Sequence, residues 1–201
     1  MEKQAESTNK GYQHRLAIFA SGAGSNALKI IEHFEGHATI KVVLVACNKP
    51  GAGVLSIARQ NNIDALLIEK ENFFRGDGYV DALKSYQVNF IVLAGFLWKI
   101  PDTLISAFPG SIINIHPALL PGFGGKGMYG NHVHEAVLAA GEKESGITIH
   151  YVDGHYDNGD IILQSTCMVE TNDTPETLAA KVHALEHRYY PQVIEELLLA
   201  R

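Results

Sequence analysis

The feature that most constrains the fold is a recurring order: a short apolar run, a turn, then a segment with helical spacing. Arg15-Leu16-Ala17-Ile18-Phe19-Ala20 runs into Ser21-Gly22-Ala23-Gly24-Ser25-Asn26, and Ala27-Leu28-Lys29-Ile30-Ile31 follows with helical periodicity. The order returns as strand 40–47, helix 54–61, strand 65–68, helix 79–86 and strand 90–94. Strands that are apolar almost throughout need cover on two faces, and helices between them supply it. The expected class is α/β: a Rossmann-like open, mostly parallel sheet with helices on both faces. A short helix near 101–107 leads to a strand at 111–115. Beyond it, a glycine-rich loop at 122–130 precedes a helix over 131–140, and residues 147–152 alternate in polarity with a neighbour at 161–168. Alternation predicts half-exposed, antiparallel C-terminal strands. Thr174-Pro175-Glu176 starts a last helix, with a hydroxyl cap, proline in the first turn and an acid at the positive end. Pro191 is expected to bend or break that helix.

The chain has 201 residues, enough for one sizeable core. One domain over 15–201 is expected, after a flexible polar tail at 1–14. The net charge of -6 comes without a basic stripe, which excludes a phosphate-backbone partner and points to a small ligand rather than nucleic acid. Residues 1–14 lack the basic and apolar regions of a secretory signal. The longest apolar stretch, around 90–98, is about half of a membrane span, so a cytoplasmic protein with no membrane partner is expected. Cys47 and Cys167 are far apart and form no metal-ligand spacing, so both are expected to be reduced, part-buried thiols.

The chemistry concentrates in Asn114-Ile115-His116-Pro117. Two positions apart on a strand, Asn114 and His116 share a face, and Pro117 ends the strand there. A carboxamide donor beside a ring that titrates near neutrality suits acyl transfer, where charge develops on a carbonyl oxygen. The carboxylate partner is sought in the polar loop Asp153-Gly154-His155-Tyr156-Asp157-Asn158-Gly159-Asp160, with Asp157 first and Asp153 or Asp160 as alternatives. An acid near His116 favours imidazolium. Gly22-x-Gly24-x-x-Ala27 matches a dinucleotide fingerprint, but Ala46-Cys47-Asn48-Lys49 offers no acid for a ribose diol. An anion site remains: amides of Gly24, Ser25 and Asn26 at a helix N-terminus suit a phosphate monoester.

His183-Ala184-Leu185-Glu186-His187 fits a metalloprotease pattern, but no convincing third ligand follows except Glu195 or Glu196. On that helix Leu178, Val182, Leu185 and Tyr189 are expected as the core stripe, with His183, Glu186, His187 and Tyr190 as a polar stripe beside it. His132 and His134 receive no role.

With Ser-Gly-x-Gly-Ser-Asn at 21–26, Leu93-Ala94-Gly95-Phe96, Asn114-x-His116-Pro117, Leu119-Leu120-Pro121 and Asp157-x-Gly159, the chain from about Arg15 to Leu198 resembles the formyltetrahydrofolate-dependent transferases and hydrolases. Within them it resembles the glycinamide ribonucleotide formyltransferase family. The resemblance implies transfer of a formyl group from 10-formyltetrahydrofolate, a co-substrate, to the amine of glycinamide ribonucleotide in purine synthesis, without a metal. It implies Asn114, His116 and Asp157 as the catalytic trio. Gly24, Ser25 and Asn26 fall on the phosphate loop, Pro117 on the nucleotide side and Glu186 on the acid that binds ribose hydroxyls. Leu97, Trp98, Lys99, Ile100, Asn114, Val152, Asp153 and Asp157 fall around the folate pocket. It also implies a cis Leu120-Pro121 bond, and a monomer or homodimer. Trp98 stands where members often carry a basic residue, and the loop 122–130 is longer than the common form.

Overall fold

The computed structural model describes residues 11–201. The tail expected at 1–14 lies mostly outside the described residues; the first strand begins at His14, which pairs with Ile40. In chain order the elements are β1 (His14–Ala20), α1 (Ser25–Phe34), β2 (Ile40–Cys47), α2 (Gly53–Gln60), β3 (Asp64–Leu67), α3 (Lys70–Arg75) and α4 (Val80–Ser85). They continue with β4 (Phe90–Leu93), α5 (Asp102–Ala107), β5 (Ile112–His116), α6 (Asn131–Ala139), β6 (Glu144–Tyr151), β7 (Ile161–Met168) and α7 (Pro175–Leu199).

Among the described residues, seven strands form one sheet in the order β3-β2-β1-β4-β5-β6-β7. β3, β2, β1, β4 and β5 pair in parallel, and β6 and β7 join antiparallel. This is the Rossmann-like arrangement that the alternation of runs requires. From β1 the chain winds outward to β2 and β3, then returns to lay β4 on the other side of β1. Loops leaving β1 and β4 therefore diverge, and the crevice between them is where open α/β sheets bind ligands.

Alternating side chains divide the core between the sheet's faces. Leu16, Ile18 and Ala20 pack with Ile30, Val54, Val137 and Val182, whereas Ala17 and Phe19 pack with Phe73, Leu83 and Leu104. Two features of α7 depart from expectation. The helix runs unbroken through Pro191. Proline removes a single N–H and its ring is buried here, so packing against the core outweighs the missing bond. The buried stripe is Leu178, Val182, Glu186, Tyr190, Val193 and Ile194, while Leu185 and Tyr189 are only partly covered. Glu186 and Tyr190, expected on the polar stripe beside the core, face inward, and each has a polar partner there. The helix start is as expected: Thr174 accepts from the Thr177 amide, and the Thr177 hydroxyl accepts from the Thr174 amide. Among the described residues, no helix is long and apolar enough to cross a membrane.

Candidate active site

The glycine turn leaves β1 at the crevice. Gly24 has φ 87 and caps α1, and a Cβ there would lie 2.8 Å from Val54 Cβ, so the position needs glycine twice over. Tight packing brings the start of α2 to this turn as well, with the Val54 amide donating to the Gly22 carbonyl at 3.2 Å. Ser21 joins the two diverging loops. Its amide donates to the Gly95 carbonyl at 3.1 Å, and its hydroxyl accepts from the Leu97 amide at 3.0 Å.

Across the crevice, β5 carries Asn114 and His116 on the face opposite the core residues Ile113 and Ile115. The antiparallel register sets Asn114 beside His150 and His116 beside Thr148. His116 is buried, and its Nε2 lies 2.8 Å from the Phe123 carbonyl oxygen. A carbonyl can only accept, so Nε2 carries hydrogen and Nδ1 is the nitrogen left for chemistry. Nδ1 lies 3.6 Å from Asp157 Oδ2. Asp157 has φ 51 and accepts the Gly125 amide at 2.9 Å. The start of the glycine-rich loop thus touches both members of the pair.

Of the three aspartates in the 153–160 loop, Asp157 is the one that meets His116. Asp153 instead builds the loop, accepting the His155 amide at 2.7 Å and the Asn158 side chain at 3.1 Å. The His155 amide holds the Asp153 carboxyl below its usual range, despite some opposing desolvation. Leu97, Trp98, Lys99, Ile100, Val152, Asp153 and Asp157, together with Asn114 and His150, line one cavity of about 70 Å³. Sequence-distant residues expected around a folate thereby share one space. Trp98 packs against Phe73, Phe74 and Phe96, with ring centroids 5.7, 5.6 and 6.2 Å away.

Glu186 on α7 reaches back to the glycine turn, where Asn26 Nδ2 donates to its Oε2 at 2.8 Å. Burial pushes its carboxyl above the usual range, with the Asn26 bond and His183 pulling the other way. His183 Nε2 is 4.0 Å from the same oxygen, and the His183 and His187 rings stack at 6.2 Å. Among the described residues, no group of three or more His, Cys, Asp or Glu side chains is placed to hold a metal ion. Cys47 and Cys167 are free thiols, and burial pushes Cys167 upward.

Two site residues escaped the sequence reading. Thr148 has its hydroxyl fully engaged: it donates to the Ala118 carbonyl at 2.7 Å and accepts from the Leu120 amide and Gln164 Nε2, each at 2.9 Å. It fixes the chain after His116 as far as Leu120, whose bond to Pro121 is cis. His150 touches Asn114 directly, with Nε2 3.1 Å from Asn114 Nδ2. The available signal was the alternation Thr148-Ile149-His150, which puts both polar side chains on the face they occupy.

Fold and site define a Rossmann-like α/β protein with a glycine turn after β1 and, at the end of β5, an amide, an imidazole and a carboxylate brought together. The family model described as Formyl transferase matches residues 14–194, and the chain belongs to that family. It is 38% identical over 189 residues to the phosphoribosylglycinamide formyltransferase of Bacillus subtilis (strain 168), covering 92% of this chain and 94% of the relative. With the chloroplastic phosphoribosylglycinamide formyltransferase of Arabidopsis thaliana it shares 46% identity over 194 residues, 94% of this chain. The chain spans 66% of that plant protein's length. The crystal structure of the Bacillus halodurans phosphoribosylglycinamide formyltransferase superposes with a TM-score of 0.84 at 40% identity, covering 92% of this chain and 95% of the other.

Proposed function

We propose that this chain transfers the formyl group of 10-formyltetrahydrofolate to the amine of glycinamide ribonucleotide, a step of purine synthesis. The observation that carries the reading is the meeting of β5 and the 153–160 loop, which sets His116 Nδ1 3.6 Å from Asp157 Oδ2 on the same side of the sheet as Asn114. The likeness to named formyltransferases over nearly the whole chain supports the choice of reaction.

In this reading the nucleotide's phosphate rests on the amides of Gly24, Ser25 and Asn26, where the α1 dipole and unpaired N–H groups favour an anion. Pro117 and Glu186 flank the ribose and glycinamide, with Glu186 accepting hydroxyl hydrogens. The folate occupies the cavity between Leu97–Ile100 and Val152–Asp157. Holding both reactants in one crevice removes much of the entropic barrier. The neutral amine attacks the formyl carbon, forming the new C–N bond and placing charge on the carbonyl oxygen. The Asn114 N–H donates to that oxyanion, and a protonated His116 adds positive charge nearby. His116 then gives its Nδ1 proton to N10 of the folate, and the ring, left neutral beside Asp157, takes up the proton lost by the attacking nitrogen. The C–N10 bond then breaks and tetrahydrofolate leaves. No step requires a metal. Monomer and homodimer both accommodate this scheme, because all the named groups come from one chain. The free thiols of Cys47 and Cys167 support a reducing, cytoplasmic setting.

The test is direct. Purified protein incubated with 10-formyltetrahydrofolate should release tetrahydrofolate, seen as an absorbance change, when glycinamide ribonucleotide is present. Release at the same rate without nucleotide would replace the transferase reading with a hydrolase.

A further inference from the structure

We propose that His150 is a positioning residue: its neutral ring, protonated at Nδ1, holds the Asn114 carboxamide with the amide nitrogen turned toward the developing oxyanion. His150 lies opposite Asn114 in the β5–β6 register and is 2% exposed. Its Nδ1 is 2.8 Å from the Tyr151 carbonyl oxygen, an acceptor, so the ring hydrogen sits on Nδ1. A neutral ring then offers a lone pair at Nε2, and Asn114 Nδ2 at 3.1 Å is its donor. One amide hydrogen is spent on His150 and the second remains for the substrate oxygen.

Protonating Nε2 reverses this. Two donors would face each other, and the carboxamide would have to turn over, presenting Oδ1 in place of the N–H. An oxygen there repels an oxyanion rather than stabilising it. The charged and titratable groups facing the ring are Asp157, whose Oδ1 is 3.7 Å from Nε2, His116 across β5, and Asp153 in the loop. Burial is the largest influence and lowers the His150 pKa; the Tyr151 bond, Asp157 and Asp153 oppose it, while His116 assists it. The ring therefore stays neutral at neutral pH, and a proton gained at acid pH misorients Asn114.

The kinetic part of this inference rests on the formyl-transfer reading; the tautomer does not. Nitrogen-15 NMR of histidine-labelled protein near neutral pH should show His150 as the neutral Nδ1–H form. An Nε2–H tautomer or an imidazolium would overturn the proposal whatever the assay gives. In the formyl-transfer assay, His150→Leu should lower kcat by about a hundredfold, the scale of one oxyanion donor, with the nucleotide KM unchanged. His150→Gln keeps a donor and an acceptor but does not titrate, so it should recover most of that loss and shift the acid limb of kcat. Wild-type kcat in a folded His150→Leu protein would sink the proposal. If the leucine variant fails to fold, a glutamine variant with the wild-type acid limb sinks it equally. A wild-type enzyme that transfers no formyl group would instead refute the proposed reaction and leave the NMR result to decide the tautomer.

Discussion

The two sides of the sheet serve the crevice differently. β1 from Leu16 onward and β4, the parallel centre, are apolar and offer backbone at their ends: the amides after Gly24 and the Gly95 and Leu97 contacts with Ser21. β5 and β6, where the sheet turns antiparallel, offer side chains: Asn114 and His116 from one strand, Thr148 and His150 from its neighbour. Parallel strands covered on both faces have little room for buried polar groups unless these are paired. The antiparallel pair solves that problem by register, since each polar residue on β5 meets a polar residue on β6. The consequence is a division of sensitivity, in which one half depends on main-chain shape and the other on chemical identity.

That division can be broken experimentally. The largest effect should come from His116→Ala, which removes chemistry from the side-chain half: turnover should fall by roughly a hundred- to a thousandfold while circular dichroism stays native. Near wild-type turnover in a folded variant would remove His116 from the mechanism. Gly24→Ala tests the backbone half. Left-handed backbone costs an L-residue about 1–2 kcal/mol, and the new methyl also collides with Val54 at 2.8 Å. Urea denaturation should show that loss, and the nucleotide KM should rise more than kcat falls. Unchanged stability and KM would mean that the turn tolerates a side chain and the contrast is wrong.

The smallest effect is a control drawn from neither half. Asp173, paired with Lys181 at 2.6 Å, has its pKa lowered to about 2, chiefly by that lysine. A depressed carboxyl pKa stabilises the fold above its unfolded value near 3.9 and loses that contribution as pH falls toward 2. Asp173→Asn should therefore lower the unfolding midpoint at neutral pH, flatten its acid dependence between those values, and leave formyl-transfer kinetics alone. An unaltered acid profile would remove Asp173 from the acid transition.

Local patterns disclosed much of this molecule. The strand–turn–helix order gave the parallel sheet, the alternation at 147–152 gave the antiparallel extension, and the Asn114-to-Pro117 block located the polar end of β5. What stayed hidden depends on non-local partners. Glu186 was expected on a polar stripe beside the core; its burial makes sense only once Asn26, 160 positions earlier, is seen donating to it. Tyr190 turns inward for the same reason, as its hydroxyl donates into the sheet. His150 looked like one more residue in an alternating strand until the register set it against Asn114. The six-residue α3 was missed because so short a segment carries hardly two turns of periodicity.

The Tyr190 hydroxyl has a mechanical consequence. It donates to the Leu93 carbonyl at 2.9 Å, with the Ile113 carbonyl also within reach at 3.4 Å, so α7 is riveted to the last two parallel strands. Glu186 stands one turn earlier on the same helix, and Asn114 follows Ile113 on β5. The rivet converts the helix into a ruler: the span between Glu186 and Asn114 is set by the folded frame before any substrate arrives.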